Sequence, residues 1–162
     1  MASTYDVIAS YTLTSPATSY TFSSIPTTYT DLVLILSGTA TGGSSVLLQV
    51  GNGSIDTGTN YSRTGMQGNG SAASSYRGSN ESQITVNWFT TAQGNATFHF
   101  KSYANTSTYK TILHSGGWSD VSTHAAVGLW RSTSAINTIK IGSYSYNMNA
   151  GTTITIYGIK AA

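Results

Sequence analysis

The sequence predicts an all-β protein, an antiparallel β-sandwich, and three observations carry that prediction. Apolar, β-branched and aromatic residues recur in short runs such as "ITVNWF" and "TITIYGI", which suit a pleated and half-buried surface. Glycine, proline and asparagine fall between those runs as turn signals. No stretch carries the 3.6-residue apolar period that the crossover helices of an α/β fold require. A chain of 162 residues suits one domain, residues 1–162, and is long enough to bury a core.

The elements follow in order. "VIASYTL" and "SYTFSSI" both alternate apolar with polar residues, and their apolar sets point the same way. Pro26 holds Ile25 in an extended conformation and ends the second strand, after which "TTYTD" turns the chain into "LVLILSG". "GTATGG" reads as a loop and "SVLLQVG" as a fourth strand. Residues 52–82 are rich in Gly, Ser and Asn and poor in apolar anchors, so long loops with brief strand segments are expected there. The strands "QITVNWFT", "ATFHFKSYA", "YKTILHS", "AAVGLW", "NTIKIGS" and "TTITIYGI" complete the chain, with turns expected at Gly94-Asn95 and Asn149–Gly151. Within them Ile84, Val86 and Trp88 share one face, as do Phe98 and Phe100.

The run Leu32, Val33, Leu34, Ile35 and Leu36 breaks the alternation of a strand with one wet face. Leu32, Leu34 and Leu36 are expected in the sandwich core, and Val33 and Ile35 on the opposite face against covering loops or another subunit. A contiguous apolar patch left in water is costly, so the run is taken as the candidate subunit interface.

Composition narrows the function. Charged residues make up 7% of the chain and the formal net charge is +2. The seven Lys and Arg form no basic cluster, so a nucleic-acid partner is not expected. Cysteine is absent, which excludes disulfides and zinc-thiolate sites. No apolar run approaches the ~18 residues of a membrane helix, and the N-terminus lacks a signal-peptide pattern, so membrane insertion is not expected either.

The segments "YDVIASYTL", "SYTFSSIPTTYTDLVL", "GTNYSRTGMQGNGSAASS", "AAVGLWRSTSAINTIKI" and "GTTITIYGI", in that order, resemble a group of small virion proteins of tailed bacteriophages, particularly those infecting cyanobacteria. The resemblance spans nearly the whole chain. It implies a jelly-roll or related sandwich module of the virion, assembled in the host cytoplasm, and often a homotrimer. Ser54 follows Gly53 where the family frequently has an aspartate, so no carboxylate role is carried to that position. A fibre needs a repeated shaft or coiled coil, which this chain lacks. The favoured role is therefore a capsid cement or decoration protein, bound to the major capsid protein or other virion proteins. The alternative is a tail-appendage or fibre-associated module that recognises host-surface carbohydrate.

Enzyme chemistry is not expected. His99, His114 and His124 form no HxH or HExxH pattern, and His114, Ser115 and Asp120 supply triad residue types without a defining arrangement. No cofactor or metal is expected. Asp31 and Asp56 read as acceptors of turn hydrogen bonds. For glycan recognition the candidate exposed aromatics are Tyr61, Tyr76 and Trp118, within a wider set that includes Trp88, Trp130, Tyr144 and Tyr146.

Overall fold

The computed structural model describes residues 4–118 and 120–160, with side chains at all of them except Asn87 and Trp88. The strands are β1 Tyr5–Thr12, β2 Ser19–Phe22, β3 Asp31–Gly38, β4 Ser44–Asn52, β5 Ser54–Ile55, β6 Tyr61–Gly68, β7 Ala73–Glu81, β8 Ile84–Phe89, β9 Gly94–Phe100, β10 Lys110–Trp118, β11 Ser122–Trp130, β12 Thr138–Ser143 and β13 Thr153–Ile159. Every pairing between them is antiparallel. An eight-stranded sheet runs β1-β13-β3-β9-β10-β11-β6-β7, and a five-stranded sheet runs β2-β12-β4-β5 with β8 also paired to β4. The two form the sandwich that the sequence predicts, although one sheet alone already holds the eight strands that a jelly roll divides between two.

The core follows from the two-residue period of β3. Leu32, Leu34 and Leu36 are fully buried, and the register sets them beside Phe100, Phe98 and Ala96 of β9 and beside Gly158, Ile156 and Ile154 of β13. Val46, Leu48 and Val50 of β4 and Ile139 and Ile141 of β12 supply buried side chains from the facing sheet. Truncating one such leucine to alanine costs about 2–5 kcal/mol, because the dense surroundings collapse only in part.

Two local expectations change and one holds. The first two strands, whose apolar sets are expected to point the same way, lie in opposite sheets, and Tyr11 and Tyr20 stack at 3.9 Å between ring centroids. The turn placed at Gly94-Asn95 falls earlier, since β9 already begins at Gly94; Thr90 Oγ1 accepts the Ala92 N–H there at 3.1 Å. The turn at Asn149–Gly151 is where the sequence puts it, with Gly151 in the left-handed region at φ 87°.

Residues 52–82, expected as long loops, are mostly strand. β6 pairs with β11 on one side and β7 on the other, so ladder hydrogen bonds from two neighbours override a composition poor in strand formers. The loop after β5 is closed by Asp56, whose carboxylate accepts the Gly58 N–H at 2.8 Å, Asn60 Nδ2 at 2.9 Å and the Trp130 indole N–H at 2.7 Å. Asn69 Oδ1 likewise accepts the N–H groups of Ser71 and Ala72 in the β6–β7 turn. Ile84 and Val86 are buried together as predicted, while the Trp88 side chain lies outside the described residues.

Candidate functional site

The outer face of the eight-stranded sheet answers where the second side of "LVLIL" goes. Cross-strand register places Val7, Tyr157, Val33, His99, Leu113 and Val127 in one row across six strands. A second row carries Thr155, Ile35, Thr97, Ser115, Ala125 and Met66. Val7, Ile35, Met66, Leu113 and Val127 are all exposed. Their sheet neighbours lie beside them, not above them, so among the described residues no other element covers these five side chains.

The five candidate interface residues therefore divide. Leu32, Leu34 and Leu36 are committed to the core, and the expectation that they contribute to a contact between subunits is corrected by their complete burial. Val33, flanked by Tyr157 and His99 in the ladder, is only 7% exposed, whereas Ile35 is 37% exposed. Leu113, Val127, Met66 and Val7 join Ile35 through strand pairings that lie far apart in sequence, which is why the sequence does not disclose them.

Charge near this face is locally neutralised. Asp31 Oδ2 lies 3.1 Å from His99 Nε2 and 3.3 Å from Lys101 Nζ, and Oδ1 accepts the Ser102 N–H at 2.7 Å. Asp31 thus binds the end of β9, not its own turn. Burial pushes its pKa up, but the Ser102, Lys101 and His99 contacts outweigh that and hold it below the ordinary aspartate value.

A second feature, a groove of about 460 Å³, lies at the β7–β8 connection and is lined by Ser45, Arg63, Glu81, Ser82, Gln83, Thr85 and Tyr144. Its geometry begins in the backbone of β7. Tyr61 pairs with Glu81 and Ser62 with Ser79, so Asn80 is an extra residue in a bulge, at φ 57°. A Cβ on Gly78 would collide with the Glu81 carboxylate, so the glycine leaves the space into which Glu81 folds. Glu81 Oε2 then meets Arg63 Nε at 2.8 Å and Oε1 meets Nη2 at 3.3 Å. Arg63 Nη1 donates to the Thr85 carbonyl, and the guanidinium lies 5.4 Å from the centre of the Tyr76 ring. Tyr144, in the same lining, is 64% exposed. Its N–H donates to the Ser45 carbonyl at 2.9 Å and the next N–H, of Ser145, donates to Ser44 Oγ at 2.8 Å.

The three candidate recognition aromatics are placed otherwise than expected. Tyr61 is fully buried, its hydroxyl 2.9 Å from the carbonyl oxygens of both Val50 and Asp56, and burial raises its pKa far above the ordinary phenol range. Trp118 is 1% exposed and packs edge-on against Phe89 with ring centroids 4.9 Å apart. Both are core residues, drawn inward by ladders that only the tertiary register defines. Tyr76 is half-buried beneath Arg63. Trp130 is buried as well, and Tyr144 and Tyr146 are the exposed members of the wider set.

No family model matches the chain, and neither the curated proteins nor the solved structures contain a significant match to it.

The candidate triad does not assemble. His114 is buried on the inward side of β10, its neighbour Ser115 is exposed on the outward side, and Asp120 accepts from Thr90 Oγ1 at 3.1 Å. Among the described residues no three His, Asp or Glu side chains gather as a metal site.

Proposed function

We propose that this chain is a structural assembly module of a viral particle, a capsid cement or decoration protein that works by binding copies of itself and the shell beneath. The observation that carries the reading is the uncovered apolar surface around Ile35, Leu113 and Val127 on the outer face of the large sheet. Six strands at ~4.8 Å spacing and two side-chain rows cover on the order of 400 Å², in which the exposed apolar side chains Ile35, Leu113 and Val127 alternate with Thr97, Ser115 and His99. With its polar rim this area approaches the ~800 Å² per partner of a stable interface. Identical copies suit it, because the charges beside it are paired and a net charge of +2 gives little repulsion between subunits. A closed ring of three protects such a face without leaving a site for filament growth. The virion setting comes from the resemblance in sequence. Binding the assembled shell in preference to its free subunits would stabilise the shell by linkage.

Light scattering at micromolar concentration tests the self-association, and the expected mass is three chains. A monodisperse monomer that persists at high concentration rejects intrinsic trimerisation.

A further inference from the structure

We propose that the groove between Tyr144 and the Arg63–Glu81 pair binds a neutral saccharide, a site separate from the assembly face. Tyr144 offers an exposed ring on a backbone that is held in place by Ser45 and, through the Ser145 N–H, by Ser44. Sugar C–H groups stack on such a face at little conformational cost.

The same groove holds fixed donors and acceptors in its lining. Arg63 uses Nε, one Nη2 hydrogen and one Nη1 hydrogen on Glu81 and Thr85, which leaves one N–H on each terminal nitrogen. The Glu81 carboxylate keeps lone pairs beyond those given to Arg63. Gln83 adds an amide that both donates and accepts, and Ser45, Ser82 and Thr85 also line the groove. A polyol with neighbouring hydroxyls matches this alternation of donor and acceptor.

The charge balance selects among ligands. Glu81 lies 2.8 Å from Arg63 and cancels its charge, so a phosphate or an acidic sugar gains no unpaired cation and meets a carboxylate. An apolar ligand would leave the pair desolvated and its remaining hydrogen bonds unmade. The volume of about 460 Å³ falls within the ~300–1,000 Å³ of small-molecule sites.

The test is a titration of the full chain, followed by two-dimensional amide NMR, with the methyl glycosides of glucose, galactose, mannose and N-acetylglucosamine, and with N-acetylneuraminic acid as the anionic comparison. At least one neutral glycoside should shift the amides of Ser82, Gln83, Tyr144 and Ser145 with saturation in the millimolar range. Tyr144→Ala should weaken that binding about tenfold, the loss of one stacking contact, and Glu81→Gln should weaken it while leaving the groove's shape. Tyr146→Ala, an exposed tyrosine outside the groove, should bind as the unmodified chain does. Absence of shifts with all four neutral glycosides, preferential binding of the acidic sugar, or undiminished binding by Tyr144→Ala would each overturn the proposal. Because Tyr144 is exposed, an unchanged urea midpoint for its alanine variant separates loss of binding from loss of fold.

Discussion

His114 on β10 and His124 on β11 both turn into the sandwich interior, two ladder positions apart on adjacent strands. Neither ring nitrogen of His114, and not Nδ1 of His124, has a hydrogen-bond partner among the described residues; His124 Nε2 lies 2.8 Å from Ser122 Oγ. Phe98 lies 4.9 Å from the His114 ring, centre to centre. Two imidazoles so placed stay neutral, because a buried unpaired cation is strongly disfavoured and the second would meet the first.

The pair therefore makes the fold sensitive to acid. Burial, reinforced by the neighbouring His124, lowers the His114 pKa from 6.5 to about 4, and burial lowers that of His124 as well. The unfolded chain binds protons first, so stability is intact above pH 6.5, falls as pH drops below that value, and levels off near pH 4. For His114 the loss is about 3 kcal/mol. Asp31 and Asp56, held below 3.8 in the folded state, contribute only at lower pH. Urea midpoints should hold level from pH 7.5 to about 6.5 and then fall steadily to pH 4.5, and His114→Leu should flatten most of that slope. A flat curve for the unmodified chain would show that the imidazoles reach solvent or a partner.

Asp56 should matter more than a loop carboxylate usually does. It accepts the indole N–H of the buried Trp130 and ties Gly58 and Asn60 into the same loop. Asp56→Ala leaves that buried donor unmade and should cost about 1–3 kcal/mol in urea denaturation. Trp130→Phe removes the donor itself, so adding Asp56→Ala to that background should cost measurably less. Equal costs in both backgrounds would mean that the indole contributes nothing to the effect.

Hydrogen exchange should distinguish the two strands of the β6–β7 hairpin. β6 is paired on both sides, so its amides from Tyr61 to Gly68 should be protected to a degree comparable with Val46–Val50 of β4. Among the described residues β7 pairs only with β6 and forms the edge of its sheet, so its amides should alternate between slow and fast exchange. Uniformly fast exchange over residues 61–81 would mean that the loop reading from composition holds in solution after all.

That hairpin also marks how far the sequence could be read. Leu32, Leu34 and Leu36 were legible because a two-residue period and a core of leucine and isoleucine are written locally in the chain. β6 and β7 were not, because "YSRTGMQG" and "ASSYRGSNE" carry weak strand propensity and owe their conformation to β11, some sixty residues later. Tyr61 and Trp118 looked like surface aromatics for the same reason. The Arg63–Glu81 pair spans 18 residues, and its one local trace is the sequence Gly78-Ser79-Asn80-Glu81, in which Gly and Asn permit the bulge that turns the carboxylate back.

The assembly reading makes its sharpest prediction at Ile35 and Leu113. Both are exposed in the single chain and lie on either side of β9, so Ile35→Asp with Leu113→Asp should leave the fold within about 0.5 kcal/mol of its original stability. In an apolar contact the two carboxylates would be buried unpaired, and association should weaken at least about a hundredfold. Val33→Asp is the informative contrast. At 7% exposure Val33 is enclosed within the single chain, and its replacement should destabilise the monomer itself. Light scattering and urea denaturation on the three proteins separate the cases: a folded monomer for the double variant supports the outer face as the interface, and a double variant of unchanged mass moves that interface elsewhere. In particles reconstituted with each protein, the double variant should be absent from shells whose resistance to heat falls accordingly. Full occupancy by the double variant would show that attachment to the shell uses a different surface, whatever the free chain does in solution.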